Sequence, residues 1–192
     1  WFDGRRLFFL NQVHGADIVV LKKGESLPDS LSQPDADALV TDRADIMLAI
    51  KLADCQAVLL YDRKKRVAAN IHSGWRGSVV DIIGKTVGVM EKAFGCDPQA
   101  ILAGISPSLG PCCAEFVNYR QEIPEPLWDF QDENHYFDFW QISRHQLVQA
   151  GVLDANIIAA QICTSCRTDL FFSYRKEKNT GRFTTVIGLE QA

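Results

Sequence analysis

Apolar positions in the first third of the chain fall in short runs separated by charged, glycine, proline or aspartate residues. "RLFFL" (6–10), "ADIVVL" (16–21), "DALVT" (37–41) and "IMLAIKL" (46–52) have the length and side-chain types of strands. In "AVLLYDRKKRVAANIH" (57–72) two apolar runs flank a charged tip at 62–66, which predicts a β-hairpin. Val79, Ile83, Val87, Met90 and Phe94 then recur at helical spacing, with Gly95 as a stop, so a helix is expected over 78–94. "QAILAGI" (99–105) predicts another strand, leading into the loop "SPSLGPCCAEF". Proline, acids and aromatics over 118–140 predict an irregular stretch with little helix, followed by a helix near 141–150. Strands are expected in "NIIAAQI", "LFFSYR" and "RFTTVIGL", the last two joined as a hairpin around the polar turn of "FFSYRKEKNTGRF". Strands first, a helix in the middle and mixed order throughout predict an α+β fold with a mixed sheet.

The 192 residues fit one domain, here taken as 1–192. The chain opens at Trp1 rather than Met, from which a missing native N-terminal segment is expected. A hydrophobic share of 47%, 23% charged residues and a net charge of −4 give no electrostatic reason for a nucleic-acid or anionic-membrane partner. No apolar run reaches the ~20 residues that span a bilayer. Six cysteines lack the dense spacing of a secreted disulfide scaffold, so reduced thiols in a cytoplasmic protein are expected.

The hairpin carries the first chemical signal. With its tip at 62–65, Tyr61 faces Arg66 and an antiparallel ladder sets Cys55 opposite His72, with Cβ atoms about 4.5–5.5 Å apart on one face. That spacing serves a shared metal or a Cys-His nucleophile pair; a slip by one residue would part the faces. A small core cysteine and a satisfied histidine are the alternatives. His14, in "NQVHG" before a strand, adds an imidazole able to complete a three-ligand set with an open position. Arg76, at the entry to the expected helix, suits a phosphate or carboxylate clamp, or else packs on Trp75. Asp54 either points away or braces a ligand after a bend. His135 and His145 show no metal-ligand spacing. Cys112 and Cys113 read as site-lining or turn residues, and "CTSC" (163–166) as buried thiols, a single CxxC without a second pair. Arg175 and Arg182 are second anion contacts or solvated charges.

The motifs "NQVHG", "DADALVT", "LADC", "IHSGWRG", "GISPSLGPCCAEF" and "FFSYRKEKNTGR", in this order and spanning 11 to about 188, resemble those of the laccase-domain, or YfiH-like, proteins. These were once called multicopper polyphenol oxidases and are regarded as purine nucleoside phosphorylases. The resemblance implies an α+β layered sandwich with mixed sheets. It also implies one zinc held by His14, Cys55 and His72, and phosphorolysis of adenosine, inosine and methylthioadenosine with adenosine deamination as a side activity. Purine nucleosides and inorganic phosphate are the implied partners. Ala57 stands where a proline is common and Ala114 where an aromatic is common, the latter able to alter a pocket wall. Two imidazoles and a thiolate also suit copper. The alternatives are a metal-free Cys55-His72 hydrolase or deamidase, a copper polyphenol oxidase, for which four histidines are few, and a non-catalytic nucleoside-binding module.

Overall fold

In the computed structural model, which describes residues 4–27 and 33–190, each apolar run of the first third is a strand. The expected domain, 1–192, therefore includes short segments outside the described residues. The strands are β1 (Arg6–Phe9), β2 (Ile18–Leu21), β3 (Ala38–Thr41) and β4 (Ile46–Leu52), followed by the hairpin β5 (Gln56–Asp62) and β6 (Val67–Ser73). β7 (Ile101–Ile105), β8 (Ile157–Ala159) and β9 (Phe183–Gly188) complete the set. Two mixed sheets result, a three-stranded one ordered β1-β4-β9 and a six-stranded one ordered β2-β3-β6-β5-β7-β8.

Period-two alternation assigns the two faces of the central strand. Val67, Ala69 and Ile71 of β6 join Val58 and Leu60 of β5 in a core shared with Ile83, Val87 and Met90 of the main helix. The opposite face meets the three-stranded sheet through a second core containing Leu39, Leu48, Ile50 and Ala57. Asn70, fully buried, lies at that sheet-to-sheet interface. Its amide donates to the carbonyls of Leu48 (3.0 Å) and Thr185 (3.1 Å), so a polar residue inside an apolar run stitches the sheets together. The chain is thus a layered α+β structure of helices, a six-stranded sheet and a three-stranded sheet.

The expected helix over 78–94 is two helices, α1 (Trp75–Val79) and α2 (Ile82–Phe94). Asp81 divides them by adopting a left-handed conformation (φ 51°) and capping α2 through the Gly84 N–H at 3.0 Å. Gly95 ends α2 in the left-handed conformation the sequence predicts. The 118–140 stretch holds only α3 (Tyr119–Glu122) and a 3-10 segment, Glu125–Phe130, before α4 (Phe139–Gln149). Its aromatics Tyr119, Phe137 and Phe139 form a third cluster with Phe116, in edge and tilted contact.

One expected hairpin is absent. "LFFSYR" is not a strand, because buried Ser173 caps a short helix, α5 (Tyr174–Glu177), by accepting from the Lys176 N–H. The Arg175 N–H is taken by Asp54 Oδ2 at 2.5 Å, so this backbone has no ladder to join. Only Phe183–Gly188 is extended, paired antiparallel with β4.

Candidate metal centre and its cleft

The β5–β6 register differs by two residues from the one read off the sequence. Asp62 pairs with Val67, and Ala57, not Cys55, faces His72. The cause lies in the turn, where the Asp62 carboxylate accepts the Lys65 N–H at 2.9 Å and Arg66 is left-handed (φ 53°). Arg66 therefore belongs to the loop, and the ladder closes one pair inside it. A displacement of two preserves the face, where a displacement of one would have lost it. Cys55 sits just beyond the end of β5 and reaches His72 diagonally.

His14, Cys55 and His72 converge, with their ligand atoms all within 4.8 Å of one another. Cys55 Sγ lies 3.8 Å from His14 Nε2, and the imidazole rings of His14 and His72 are 4.7 Å apart in an edge arrangement. These separations suit one ion with bonds of about 2.0–2.3 Å. His72 is buried and His14 exposed, so the trio opens to solvent on the His14 side. Gly74 is essential to this packing. A Cβ there would stand 2.8 Å from Cys55 Sγ and 3.3 Å from His14 Cδ2.

Asp37, fully buried at the foot of β3, organises the trio. Its carboxylate accepts the backbone N–H groups of Val13 (3.3 Å), His14 (2.9 Å) and Gly15 (2.6 Å), and His72 donates to it from Nδ1 at 2.7 Å. One side chain thus fixes the left-handed turn at His14 (φ 59°) and orients the His72 ring with Nε2 free for a ligand. Gln12 pins the same loop by exchanging hydrogen bonds with the backbone of Lys51, both 2.9 Å. Burial opposes the charge on Asp37, but the hydrogen bonds from His72 and the loop outweigh it and lower its pKa.

The electrostatics favour a ligating thiolate. Burial works against ionisation of Cys55, yet the hydrogen bonds and charges of His14 and His72 bring its pKa down to about 6. Burial likewise opposes the His72 imidazolium, and hydrogen bonds to Asp37 and Cys55 raise it to about 9. The donor set, two imidazoles and a readily formed thiolate with a carboxylate behind one ring, fits a zinc or copper ion.

Two recesses, of about 460 and 410 Å³, meet at His14, Ala53, Cys55 and Tyr174. Both lie in the range of small-molecule sites. The larger is lined by Trp75, Phe116 and Phe139 beside Arg76 and Arg175; the smaller by Lys51 and Arg182. Arg76 stacks 4.3 Å over Trp75, so the packing alternative and the cleft position both hold. Its helix, α1, has only five residues, and the case for a helix-terminus clamp falls away. What remains is a guanidinium on the cleft wall. Arg175 lies 5.5 Å over Phe116 and donates to the Glu115 carbonyl at 3.0 Å.

Asp54 is a brace. In a left-handed conformation (φ 87°), it accepts the Thr164 hydroxyl at 2.7 Å and the Arg175 N–H, while its carbonyl accepts the Leu109 N–H at 2.8 Å. His135 and His145 lie apart from the trio, against Tyr119 and Phe130. Cys112 and Cys113 do not line either recess. They meet Cys163 and Cys166 instead, supplying the second pair that the "CTSC" segment lacks in sequence. Among the described residues no helix is long and apolar enough to cross a membrane.

Nothing in the sequence pattern marks Asp37 or Gly74 as functional. Asp37 is an acid directly before the apolar run 38–40, and Gly74 is one of the two glycines that flank Trp75 and Arg76 in "IHSGWRG".

A family model described as multi-copper polyphenol oxidoreductase laccase matches residues 2–190. A protein named purine nucleoside phosphorylase YlmD, from Geobacillus stearothermophilus, is 33% identical over 97% of this chain and 73% of its own length. A purine nucleoside phosphorylase from Bacteroides thetaiotaomicron is 35% identical over 73% of this chain, and the match spans 55% of that relative. The crystal structure of a hypothetical protein YfiH from Bacillus licheniformis superimposes with a TM-score of 0.86 at 29% identity, covering 96% of this chain and 74% of that one.

Proposed function

Since the chain belongs to the multi-copper polyphenol oxidoreductase laccase family, and curated relatives carry the name purine nucleoside phosphorylase, we propose that it cleaves purine nucleosides with inorganic phosphate. Adenosine, inosine and methylthioadenosine are the substrates, and adenosine deamination is a side activity. The observation that carries this reading is the convergence of His14, Cys55 and His72 where two small-molecule recesses meet. These three residues hold zinc, with copper admitted by the same donors. When bound, the ion supplies positive charge and Lewis acidity at the floor of the cleft.

The remaining work falls to the chain itself. Asp37 keeps His72 in one orientation, and Gly74 leaves room for the Cys55 sulfur. Trp75, Phe116 and Phe139 line the recess with apolar surface against which the purine packs. Arg76, with Arg175 across the same recess, holds phosphate. A phosphate oxygen attacks the ribose carbon that bears the base, the carbon–nitrogen bond breaks, and its electron pair leaves with the purine, which takes up a proton. The products are free base and ribose 1-phosphate. In deamination water replaces the exocyclic amine, which leaves as ammonia.

Products identified by mass, with and without phosphate, test the reading; release of no base from any purine nucleoside would sink it. Arg76→Ala is expected to raise the KM for phosphate roughly tenfold or more, the size of one lost charge-assisted hydrogen bond. An unchanged KM would remove Arg76 from phosphate binding.

A second reading has one specific observation behind it. Cys55, His72 and Asp37 form the ordered chain of a thiol hydrolase, with the thiol drawn down to about 6 and the imidazole held by a carboxylate. His14→Ala separates the two. It abolishes a metal-dependent phosphorolysis, whereas a metal-free thiol hydrolysis survives with its pH profile moved upward.

A further inference from the structure

Four cysteines from two distant segments meet away from the cleft. Cys112 and Cys113 follow the loop after β7, and Cys163 and Cys166 follow β8; their sulfurs all lie within 4.8 Å of one another. Cys166 Sγ stands 3.6 Å from both Cys112 Sγ and Cys113 Sγ. A tetrahedral ion with zinc–sulfur bonds of about 2.3 Å holds its sulfurs about 3.8 Å apart. The four are free thiols, and the equal approach of Cys166 to two neighbours singles out no disulfide partner.

The backbone favours a thiolate at one of the four, Cys163. The Gly110 N–H donates to Cys163 Sγ at 3.3 Å, a bond that favours the ionised sulfur. Gly110 is required for that approach, since a Cβ there would come within 3.0 Å of Cys163 Cβ and 2.8 Å of the Trp140 ring. The two loops are already joined, because Ser108 donates to the Ile162 carbonyl at 3.1 Å and Thr164 donates to the Ser108 carbonyl at 3.0 Å.

We propose that Cys112, Cys113, Cys163 and Cys166 form a second metal site, a closed tetrathiolate that takes zinc or a similarly thiophilic divalent ion. Each thiol releases its proton to solvent as it ligates, and the four sulfurs leave no open position. The site is structural, in contrast to the open three-ligand set. Its place in the fold gives it a task. Leu109 and Thr164, which donate to the backbone carbonyl and the carboxylate of Asp54, each stand next to this cluster. Closing the cluster fixes both donors, and through Asp54 it fixes the neighbouring Cys55. This proposal does not depend on the reaction catalysed in the cleft.

The test counts metal. The unsubstituted chain reconstituted with zinc under reducing conditions is expected to hold two ions. The His14→Ala/His72→Ala variant keeps one, and Cys112→Ser/Cys166→Ser keeps the other. Cobalt(II) added to the histidine double variant is expected to give the intense d–d and thiolate charge-transfer bands of a tetrahedral tetrathiolate centre. The count on the unsubstituted chain stands even if a variant fails to fold. No ion on that chain, or no thiolate–cobalt spectrum from the folded histidine variant, would overturn the proposal, and so would a single ion that is lost with His14 and His72 and kept without Cys112 and Cys166. So would a disulfide to Cys166 in protein isolated anaerobically.

Discussion

Asp37 holds the two histidines of the trio in relation to each other through the His72 ring and the His14 N–H, without being one of the three candidate metal donors. In Asp37→Asn an amide donor replaces one acceptor oxygen among three backbone donors and the His72 ring. The buried mismatch is expected to cost about 1–3 kcal/mol in thermal or denaturant unfolding, and zinc affinity should fall roughly 10–100-fold in a chelator competition. Gly74→Ala isolates the packing of the sulfur. Its added methyl group displaces Cys55 Sγ from a spot only 2.8 Å away, so metal affinity should drop while α1 and the sheets stay folded by circular dichroism. The pKa of Cys55 gives a pH prediction with a definite sign. A depressed thiol is ionised above its folded value, so in chelated protein alkylation of Cys55, followed by peptide mass, should rise through pH about 6. An unperturbed thiol would rise near 9.0. Removing the imidazole in His14→Ala should move that midpoint upward.

The β5–β6 hairpin shows how far a pattern of apolar and polar positions reaches. Both strands and the shared face of Cys55 and His72 were legible, because period-two alternation survives a displacement by two. The exact register was not, since it depends on Asp62 capping the turn and Arg66 leaving the ladder. The same limit applies where one side chain decides a local fold. Asp81 splits the helix that spacing alone makes continuous, and Ser173 turns an apolar run into α5. Asp54 is the corresponding device at the site, holding three segments to the end of β5. Asp54→Gly retains the left-handed backbone but loses the carboxylate, whereas Asp54→Ala loses the carboxylate and strains the backbone. The alanine variant should therefore unfold at the lower temperature, the gap of roughly 1 kcal/mol being the left-handed penalty.

At the scale of the whole molecule, two sheets and a helical layer bring residues 14, 55 and 72 to one corner, with the cleft in front of them. Sequence motifs named those three, but their common support lies in contacts between segments far apart in the chain. Asp37 reaches back to the 13–15 loop, and Thr164 and Arg175 reach across to Asp54. The meeting of Cys112 and Cys113 with Cys163 and Cys166 was invisible for the same reason, because each pair read alone is incomplete. An ion bound only by the folded chain stabilises it by RT ln(1 + [L]/Kd), about 2.7 kcal/mol at a hundredfold excess over Kd. Chelation should lower the unfolding temperature accordingly, and zinc should restore it. The central claim is that the metal set of His14, Cys55 and His72 supports phosphate-dependent cleavage of purine nucleosides. Its most direct measurement follows free base and ribose 1-phosphate released from inosine or adenosine by the zinc-loaded and the chelated chain. The account predicts equal amounts of both products only when phosphate is present, lost on chelation and regained with zinc. Absence of base release, or release that chelation leaves unchanged, would contradict it.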